Sequence, residues 1–523
     1  MLHTPTSTDP RGHASLSVAA ILAESAHRYR DLPALVVGEE VTSYAELWEQ
    51  TKAYAGALKA RGVGHGDRVA ILMPNVADFP RTYYAILALG AVVVPIHALL
   101  RAEEIEFVLR DSAASLLIAA APLLGQGAPG AALAEVPVLS VLEPADAATQ
   151  TRLEDLAAAA EPVRTYEAML PWETATILYT SGTTGRPKGA ESSHFSLVEQ
   201  ANTMLVSTFT LGTGDTILGT LPLFHTFGQT CVLNTGLRIG ARIVLVPRFT
   251  GAVGLEMLVK HRVDVFFGVP TMYIALLEAA KSNPERPALR YAISGGASIP
   301  VAVIEKFKEV FGAEIYEGYG LTETSPVATF NHVGVPPRPG TIGTPIWGVD
   351  VEIARPEVEE RIELLPTGEL GELVVRGHNV TKGYLNQPEA TRAAIVDGWF
   401  RTGDLGIKDE DGYLRILDRK KDMILRNGYN VYPREVEDVL ARHPDIVTLA
   451  VYGIPDDTHG QEIVAAVVLA AGSTTTAEEL VDYAKEHLAA YKYPRLMEIV
   501  TELPLGPSGK VLKRELAARY QRG

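Results

Sequence analysis

Apolar positions along the chain recur with two periods, about 3.6 and about 2 residues, in stretches that follow one another, and this alternation predicts an α/β fold. Between Ser43 and Ala60, Leu47, Thr51, Tyr54 and Leu58 fall on one helical face; Ser43 and Glu46 form a capping-box pattern and Gly62 stops the helix. Arg68–Met73 then reads as a buried strand, and strand-like runs at Ala91–Pro95, Ser115–Ala119 and Val138–Leu142 are separated by helical stretches. Apart from those last two runs, Ala113–Pro162 reads as loosely specified helix and loop, being rich in Ala and Leu and interrupted by Gly and Pro. Further strands are expected at Thr216–Leu221, Ile243–Val246 and Val263–Gly268, with helices after the first and after Pro270.

From Leu370 the pattern shortens. Glu372–Arg376 and Gly412–Leu417 suggest a β-rich subdomain, closed by the charged run Asp418–Asp422. Beyond it, helices at Pro433–Arg442, Thr476–Leu488 and Val511–Tyr520, with strands at Val447–Tyr452 and Ile463–Leu469, make a separate small unit. A chain of 523 residues exceeds what one core usually serves. The expected layout is a large N-terminal domain, residues 1–420, of doubly wound α/β subdomains plus a β-rich subdomain. A small α+β domain, residues 421–523, follows.

Composition narrows the function classes. A net charge of −16 argues against a nucleic-acid partner, yet a few local cations can still hold an anionic small molecule. Cys231 is the single cysteine, so no intrachain disulfide forms and a reducing compartment is expected. Met1–Gly12 lacks an apolar core of signal type, and the run Leu116–Leu124 is short and broken by Pro122. The expectation is a cytoplasmic protein without a transmembrane segment, open to transient membrane contact, and a monomer or homodimer.

The most informative segment is Tyr179–Ala190, YTSGTTGRPKGA. Ser181, Thr183 and Thr184 are interleaved with Gly182, Gly185 and Gly189, and Lys188 adds a positive charge. Glycines let backbone N–H groups crowd an anion, so the run reads as a phosphate cradle or else as a flexible surface loop. It is not a Walker A loop, because Pro187 stands where the second Gly belongs and Gly189 follows the Lys. Tyr316–Glu323, YEGYGLTE, sets the ring of Tyr319 between Gly318 and Gly320, suited to stacking on a purine or simply to a turn. Thr322 and Glu323 offer hard oxygens to phosphate and Mg²⁺. Trp399–Leu405, WFRTGDL, puts Asp404 behind a Thr-Gly turn with Arg419 not far beyond, and Pro504–Lys510, PLGPSGK, carries a lysine on a Gly/Pro loop.

In order and wording these segments resemble the ANL superfamily of adenylate-forming enzymes, in its acyl-CoA synthetase branch. The likeness extends through GELGELVVRGHNVTKGY (Gly368–Tyr384) and DRKKDMILRNGYNVYPREVE (Asp418–Glu437). It implies a carboxylate attacking the α-phosphorus of ATP, with Mg²⁺ held with help from Glu323, and a thiol, that of coenzyme A, displacing AMP. It also implies Lys510 as the lysine near the α-phosphate, and Thr183, Thr184 and Lys188 on the leaving phosphates. Thr322 falls on the α-phosphate, Tyr319 and Gly295–Ala297 (with Gly296) on adenine, and Asp404 and Arg419 on ribose. Thr180, Ser181, Gly182, Gly185, Glu317, Gly318 and Gly320 complete the implied nucleotide site. The small domain is implied to rotate about Lys421, withdrawing Lys510 and presenting Asn427, Gly428 and Tyr429 to the CoA tunnel. Relatives commonly have Ser-Gly-Gly where this chain has Arg426-Asn427-Gly428; Asn tolerates a positive φ, so the turn is expected to survive, and Arg426 is expected either to meet a CoA phosphate or to be solvated.

Substrate choice rests on the acyl pocket. His225 stands where amino-acid-activating relatives carry Asp, and Gly318 where malonate-activating relatives carry Arg, so neither acid is expected. Phe227, Gly228, Val269, Met272, Gly295 and Gly296 are small or apolar, and glycines at a wall leave room for a chain. The resulting expectation is an AMP-forming ligase for a medium- or long-chain fatty acid, with a cinnamate- or benzoate-type aryl acid as the alternative. His225 either orients the substrate carboxylate or is a structural histidine, and Phe227 and Met272 are alternatively plain core. A luciferase-type oxygenation and a non-enzymatic module are the other classes; intact Lys510, Glu323 and Asp404 speak against the latter.

Overall fold

Helix Tyr44–Ala60 begins where its sequence says it must: the Ser43 hydroxyl accepts from the Glu46 N–H, while the Glu46 carboxylate accepts from the Ser43 N–H at 2.8 Å. Leu47, Thr51, Tyr54 and Leu58 are its buried face. The computed structural model describes residues 15–180, 187–427, 429–456, 458–505 and 511–520, and within them the strands form four sheets.

Two of these sheets are the cores of doubly wound α/β units. In the seven-stranded one, Arg68–Leu72 pairs in parallel with Val92–Pro95 and Leu116–Ala120, and the latter with Val138–Val141. In the nine-stranded one, parallel strands Arg242–Leu245, Thr216–Gly219, Val265–Gly268, Tyr291–Ser294 and Glu314–Gly320 lie side by side. Such strands are covered on both faces, which explains their unbroken apolar runs. Parallel order also sends the segments after Gly219, Gly268, Ser294 and Gly320 to one edge, where α/β proteins place their sites.

In Ala113–Pro162 the two expected strands are present, Leu116–Ala120 and Val138–Val141, but the remainder corrects the expectation of loose structure: it holds the defined helices Leu124–Ala134 and Leu153–Ala159. Its small residues serve packing: a Cβ on Gly130 would stand 2.7 Å from the Ala102 carbonyl oxygen on the neighbouring helix. Pro129 lies inside helix Leu124–Ala134 and is tolerated there because tertiary packing outweighs local propensity. The helix expected after Thr216–Leu221 is preceded by an irregular turn and is a π-helix, Phe227–Asn234.

The third sheet is antiparallel, joining Val349–Ala354, Gly371–Gly377, Trp399–Lys408 and Leu414–Arg419, and it ends two residues before Lys421. Beyond it, Ile446–Asp456 and Gly460–Leu469 pair antiparallel, with Leu496–Ile499 added in parallel. Ile424, Val436, Leu440, Val451 and Leu480 make an apolar cluster of their own there, apart from the cores of the large sheets. Asn427 has φ +52°, the left-handed turn expected of Asn. Arg426 differs from both readings of it: it is 5% exposed and makes a two-pronged pair with Glu462 at 2.7 and 2.8 Å.

Where Glu314–Gly320 pairs with Val327–Phe330, a Cβ on Gly320 would stand 1.8 Å from the Pro326 carbonyl oxygen. Gly320→Ala must therefore move backbone beside Tyr319. Urea unfolding is expected to show a loss of about 1–3 kcal/mol; an unchanged midpoint would refute the steric argument.

Candidate active site

A cavity of about 1510 Å³ opens at that edge, bounded by the ends of the parallel strands and by the third sheet. One wall is organised around Asp404, which is 3% exposed. Its Oδ2 accepts from the Tyr319 hydroxyl at 2.5 Å, and its Oδ1 faces Arg419 Nε at 3.1 Å. Asp404 and Arg419 are cross-strand partners, so sheet register creates this ion pair. A second pair fixes the turn before Asp404: the Glu372 carboxylate accepts from Arg401 Nη2 at 2.6 Å and from the Gly403 N–H at 3.0 Å. Burial, with the Asp404 charge beside it, holds the Tyr319 hydroxyl well above its ordinary pKa, so it remains a donor. Each Asp404 oxygen keeps a lone pair for a further donor, as a vicinal diol would supply.

A second cluster gathers around Glu323 in the turn Thr322–Thr324. Its Oε1 accepts from the Tyr384 hydroxyl at 2.9 Å and from Thr180 Oγ1 at 3.4 Å. The Lys188 ammonium lies 5.0 Å from the centroid of the Tyr384 ring. Thr180 and Lys188 are opposite each other in the hairpin that carries the glycine-rich segment, so both ends of that segment are tied to Glu323. No group of three or more His, Cys, Asp or Glu suited to a metal occurs among the described residues. One carboxylate with hydroxyl neighbours fits Mg²⁺, which takes most of its ligands from phosphate and water. Tyr384 escaped the sequence reading as a site residue, although it closes the segment Gly368–Tyr384; only the fold shows its hydroxyl on Glu323.

Of the expected residues, Thr180, Lys188, His225, Phe227, Gly295, Gly296, Gly318, Tyr319, Gly320, Thr322, Glu323, Arg419 and Lys421 line this one cavity. Asp404 joins them through Tyr319 and Arg419. Ser181, Gly182, Thr183, Thr184, Gly185, Gly428 and Lys510 lie outside the described residues. Ala297, Glu317, Gly228, Val269, Met272, Asn427 and Tyr429 are not among the lining residues, and several have a visible reason. Gly228 is glycine because a Cβ would stand 2.3 Å from the Pro222 carbonyl oxygen. Met272 packs into the core, its sulfur 3.8 Å from Thr220 Oγ1. Tyr429 is exposed, its ring centroid 4.9 Å from that of Tyr491. Glu317 is 3% exposed, and its carboxyl lies within electrostatic reach of Arg434.

The wall glycines divide. Gly296 leaves the expected room, since a Cβ there would meet only Val269 at 3.5 Å, whereas a Cβ on Gly295 would meet the Phe227 ring at 3.1 Å; at Gly318, beside Tyr319, a Cβ would meet the Phe330 ring at 2.5 Å. Phe209, Phe224, Cys231 and His97 complete an apolar end. Phe209 meets Phe330 edge-on at 5.2 Å, and His97 meets Phe224 edge-on at 4.5 Å. Burial pushes the Cys231 thiol up, which leaves it an inert wall group. His225 Nδ1 accepts from the Phe227 N–H at 3.3 Å, at the entry to the π-helix. Burial, with Arg419 next to it, lowers the Lys421 ammonium.

The family model for AMP-binding enzymes matches residues 22–385, and that for the AMP-binding enzyme C-terminal domain matches residues 435–510. The chain is 34% identical to a long-chain-fatty-acid–CoA ligase of Bacillus subtilis, covering 96% of this chain and 94% of that protein. It is 37% identical to a feruloyl-CoA synthase of Amycolatopsis, covering 92% and 95%. Among solved structures, ATP-bound MatB from Rhodopseudomonas palustris superposes with a TM-score of 0.87 at 31% identity, covering 97% of this chain and 99% of that one.

Glu317 gives this region a pH signature. Burial pushes its carboxyl up to about 7, against a partly compensating Arg434, and Oε2 has no hydrogen-bond partner among the described residues. The folded state therefore holds a proton that the unfolded chain releases near 4.5, and stability falls as pH rises from about 4.5 to about 7. Glu317→Gln is expected to match the parent below that window and to exceed it by about 2–4 kcal/mol above it, in urea unfolding followed against pH. A pH-independent difference would contradict the assignment.

Proposed function

The chain belongs to the AMP-binding enzymes of the ANL superfamily, among the acid–CoA ligases, and we propose that it activates a medium- or long-chain fatty acid. The carrying observation is that one cavity joins two polar clusters, around Asp404 and Glu323, to an apolar end lined by phenylalanine rings. Burial of each methylene against such a wall contributes about 0.8 kcal/mol, and Gly296 leaves space beside the rings of Phe227 and Phe330.

The chemistry is an attack of a carboxylate oxygen on the α-phosphorus of ATP, with loss of pyrophosphate. The CoA thiolate then adds to the acyl carbon and AMP leaves. The physical obstacle is anion approaching polyanion. Lys188 and Arg419 supply fixed positive charge, Thr180 and Thr322 supply hydroxyl donors, and Lys510 is carried to the α-phosphate as the family pattern implies. Mg²⁺, held with help from Glu323, supplies further charge neutralisation on the phosphates. Asp404 takes the ribose hydroxyls. Tyr384 restrains Glu323, and the ring-lined end excludes water from the anhydride. Lys421 acts as the hinge about which residues 421–523 turn between the half-reactions, with Asn427, Gly428 and Tyr429 on the CoA side. The enzyme works in the cytoplasm in this reading; no helix among the described residues is long and apolar enough to cross a membrane.

A flat aryl acid is the second reading. The edge-on rings of Phe209 and Phe330 suit an aromatic face, and a feruloyl-CoA synthase is a relative over nearly the whole chain. A short dicarboxylate is disfavoured: of the lining cations, Arg401 and Arg419 already face Glu372 and Asp404, and Gly318 places no cation beside Tyr319.

An acid panel with Mg·ATP and CoA, read by AMP release, decides between these readings. Saturated acids of medium or long chain are expected to lead and malonate to give nothing; a lead by cinnamates or benzoates would transfer the assignment to the aryl reading. Lys510→Ala is expected to lower adenylate formation by about a hundredfold or more while thioester formation from supplied acyl-AMP persists. Equal loss of both half-reactions would remove Lys510 from this role.

A further inference from the structure

Phe224, His225, Phe227 and Cys231 all reach the cavity from one segment, Gly219–Asn234. Between the strand end at Gly219 and the π-helix starting at Phe227, that segment has little regular backbone pairing. Several of its backbone groups and its last side chain bond to the other α/β unit. Asn75 lies between strand Arg68–Leu72 and helix Asp78–Ala88, and is 4% exposed. Its Nδ2 donates to the carbonyls of Gly219 at 2.9 Å and Leu221 at 2.8 Å, and its Oδ1 accepts from the Leu223 N–H at 3.0 Å. At the other end of the segment, Asn234 Oδ1 accepts from the Tyr84 hydroxyl at 2.8 Å, and Asn234 Nδ2 donates to the Tyr83 hydroxyl at 3.2 Å. Both tyrosines are fully buried on helix Asp78–Ala88.

We propose that Asn75, together with Tyr83 and Tyr84, is a clamp that positions the wall segment and thereby sets which acid the cavity accepts, although none of the three lines it. The inference rests on the reading of the ring-lined end as the acid's site. An amide offers two donors and one acceptor in a plane, and here all three are used on three backbone groups within five residues of sequence. Aspartate would keep the acceptor but turn a charge toward two carbonyl oxygens. Slack at Leu221–Leu223 cannot be absorbed toward Gly228, where the Pro222 carbonyl already packs without room for a Cβ. It passes on to Phe224, His225 and Phe227. The polar clusters around Asp404 and Glu323 stand on other elements and are untouched.

The test compares the parent with Asn75→Asp and with Tyr84→Phe, which removes a single hydroxyl. Dissociation constants are measured for AMP and for the acyl-sulfamoyl adenosine of the best acid in the panel, together with KM and kcat for acids of graded length. Both variants are expected to bind AMP within about twofold of the parent and the acyl mimic about tenfold more weakly. The KM for acid should rise, the KM for Mg·ATP should hold, and discrimination between chain lengths should flatten. Equal weakening of both nucleotides, or of neither, would overturn the clamp. Should Asn75→Asp fail to fold, Tyr84→Phe decides alone. If the parent itself binds the acyl mimic no more tightly than AMP, the ring-lined end is not the acid's site, and both that reading and the clamp fall before any variant is compared.

Discussion

The buried carboxylate of Asp404 is the constraint on which the site depends. A charge this far from water is costly unless it is paired and hydrogen-bonded, and its two partners come from different sheets. Tyr319 belongs to a strand of the nine-stranded sheet, while Arg419 ends a strand of the third sheet, two residues before Lys421. Satisfying Asp404 therefore docks the β-rich subdomain onto the large α/β body and fixes where the chain leaves toward its small C-terminal unit. The Arg401–Glu372 pair repeats the device one turn earlier, with both side chains under a tenth exposed.

Around this tie, close packing decides shape. Gly318 and Gly295 owe their identity to the rings of Phe330 and Phe227, and Gly228 and Gly320 to carbonyl oxygens that leave no room for a Cβ. A glycine in a wall is thus ambiguous from its letter alone: it marks either open space or space already taken. Tertiary packing chose the second at these four positions and the first at Gly296, where a Cβ would meet only Val269 at 3.5 Å.

Part of the candidate site was legible in the chain because its groups are local. The Tyr-Gly run with Thr322 and Glu323 and the turn before Asp404 are each a few residues long and carry their chemistry in composition. Capping boxes are equally local, and helix Tyr44–Ala60 starts where Ser43 and Glu46 require. Ala113–Pro162 was misread because its regularity comes from neighbours: Gly130 is defined by Ala102, twenty-eight positions away in sequence.

The sequence by itself determined the alternation of elements, the candidate phosphate and magnesium ligands and the reaction class, since each depends on residue type and short spacing. Only the tertiary structure decided that Tyr384 bonds Glu323, that Arg426 is spent on Glu462, that Glu317 is buried near Arg434, and that Asn75 grips the backbone of Gly219–Leu223. Each of these joins groups from 36 to 148 residues apart or turns on how a strand is packed. Such contacts are set by how sheets and helices pack, and no local pattern of letters encodes which distant partner will arrive.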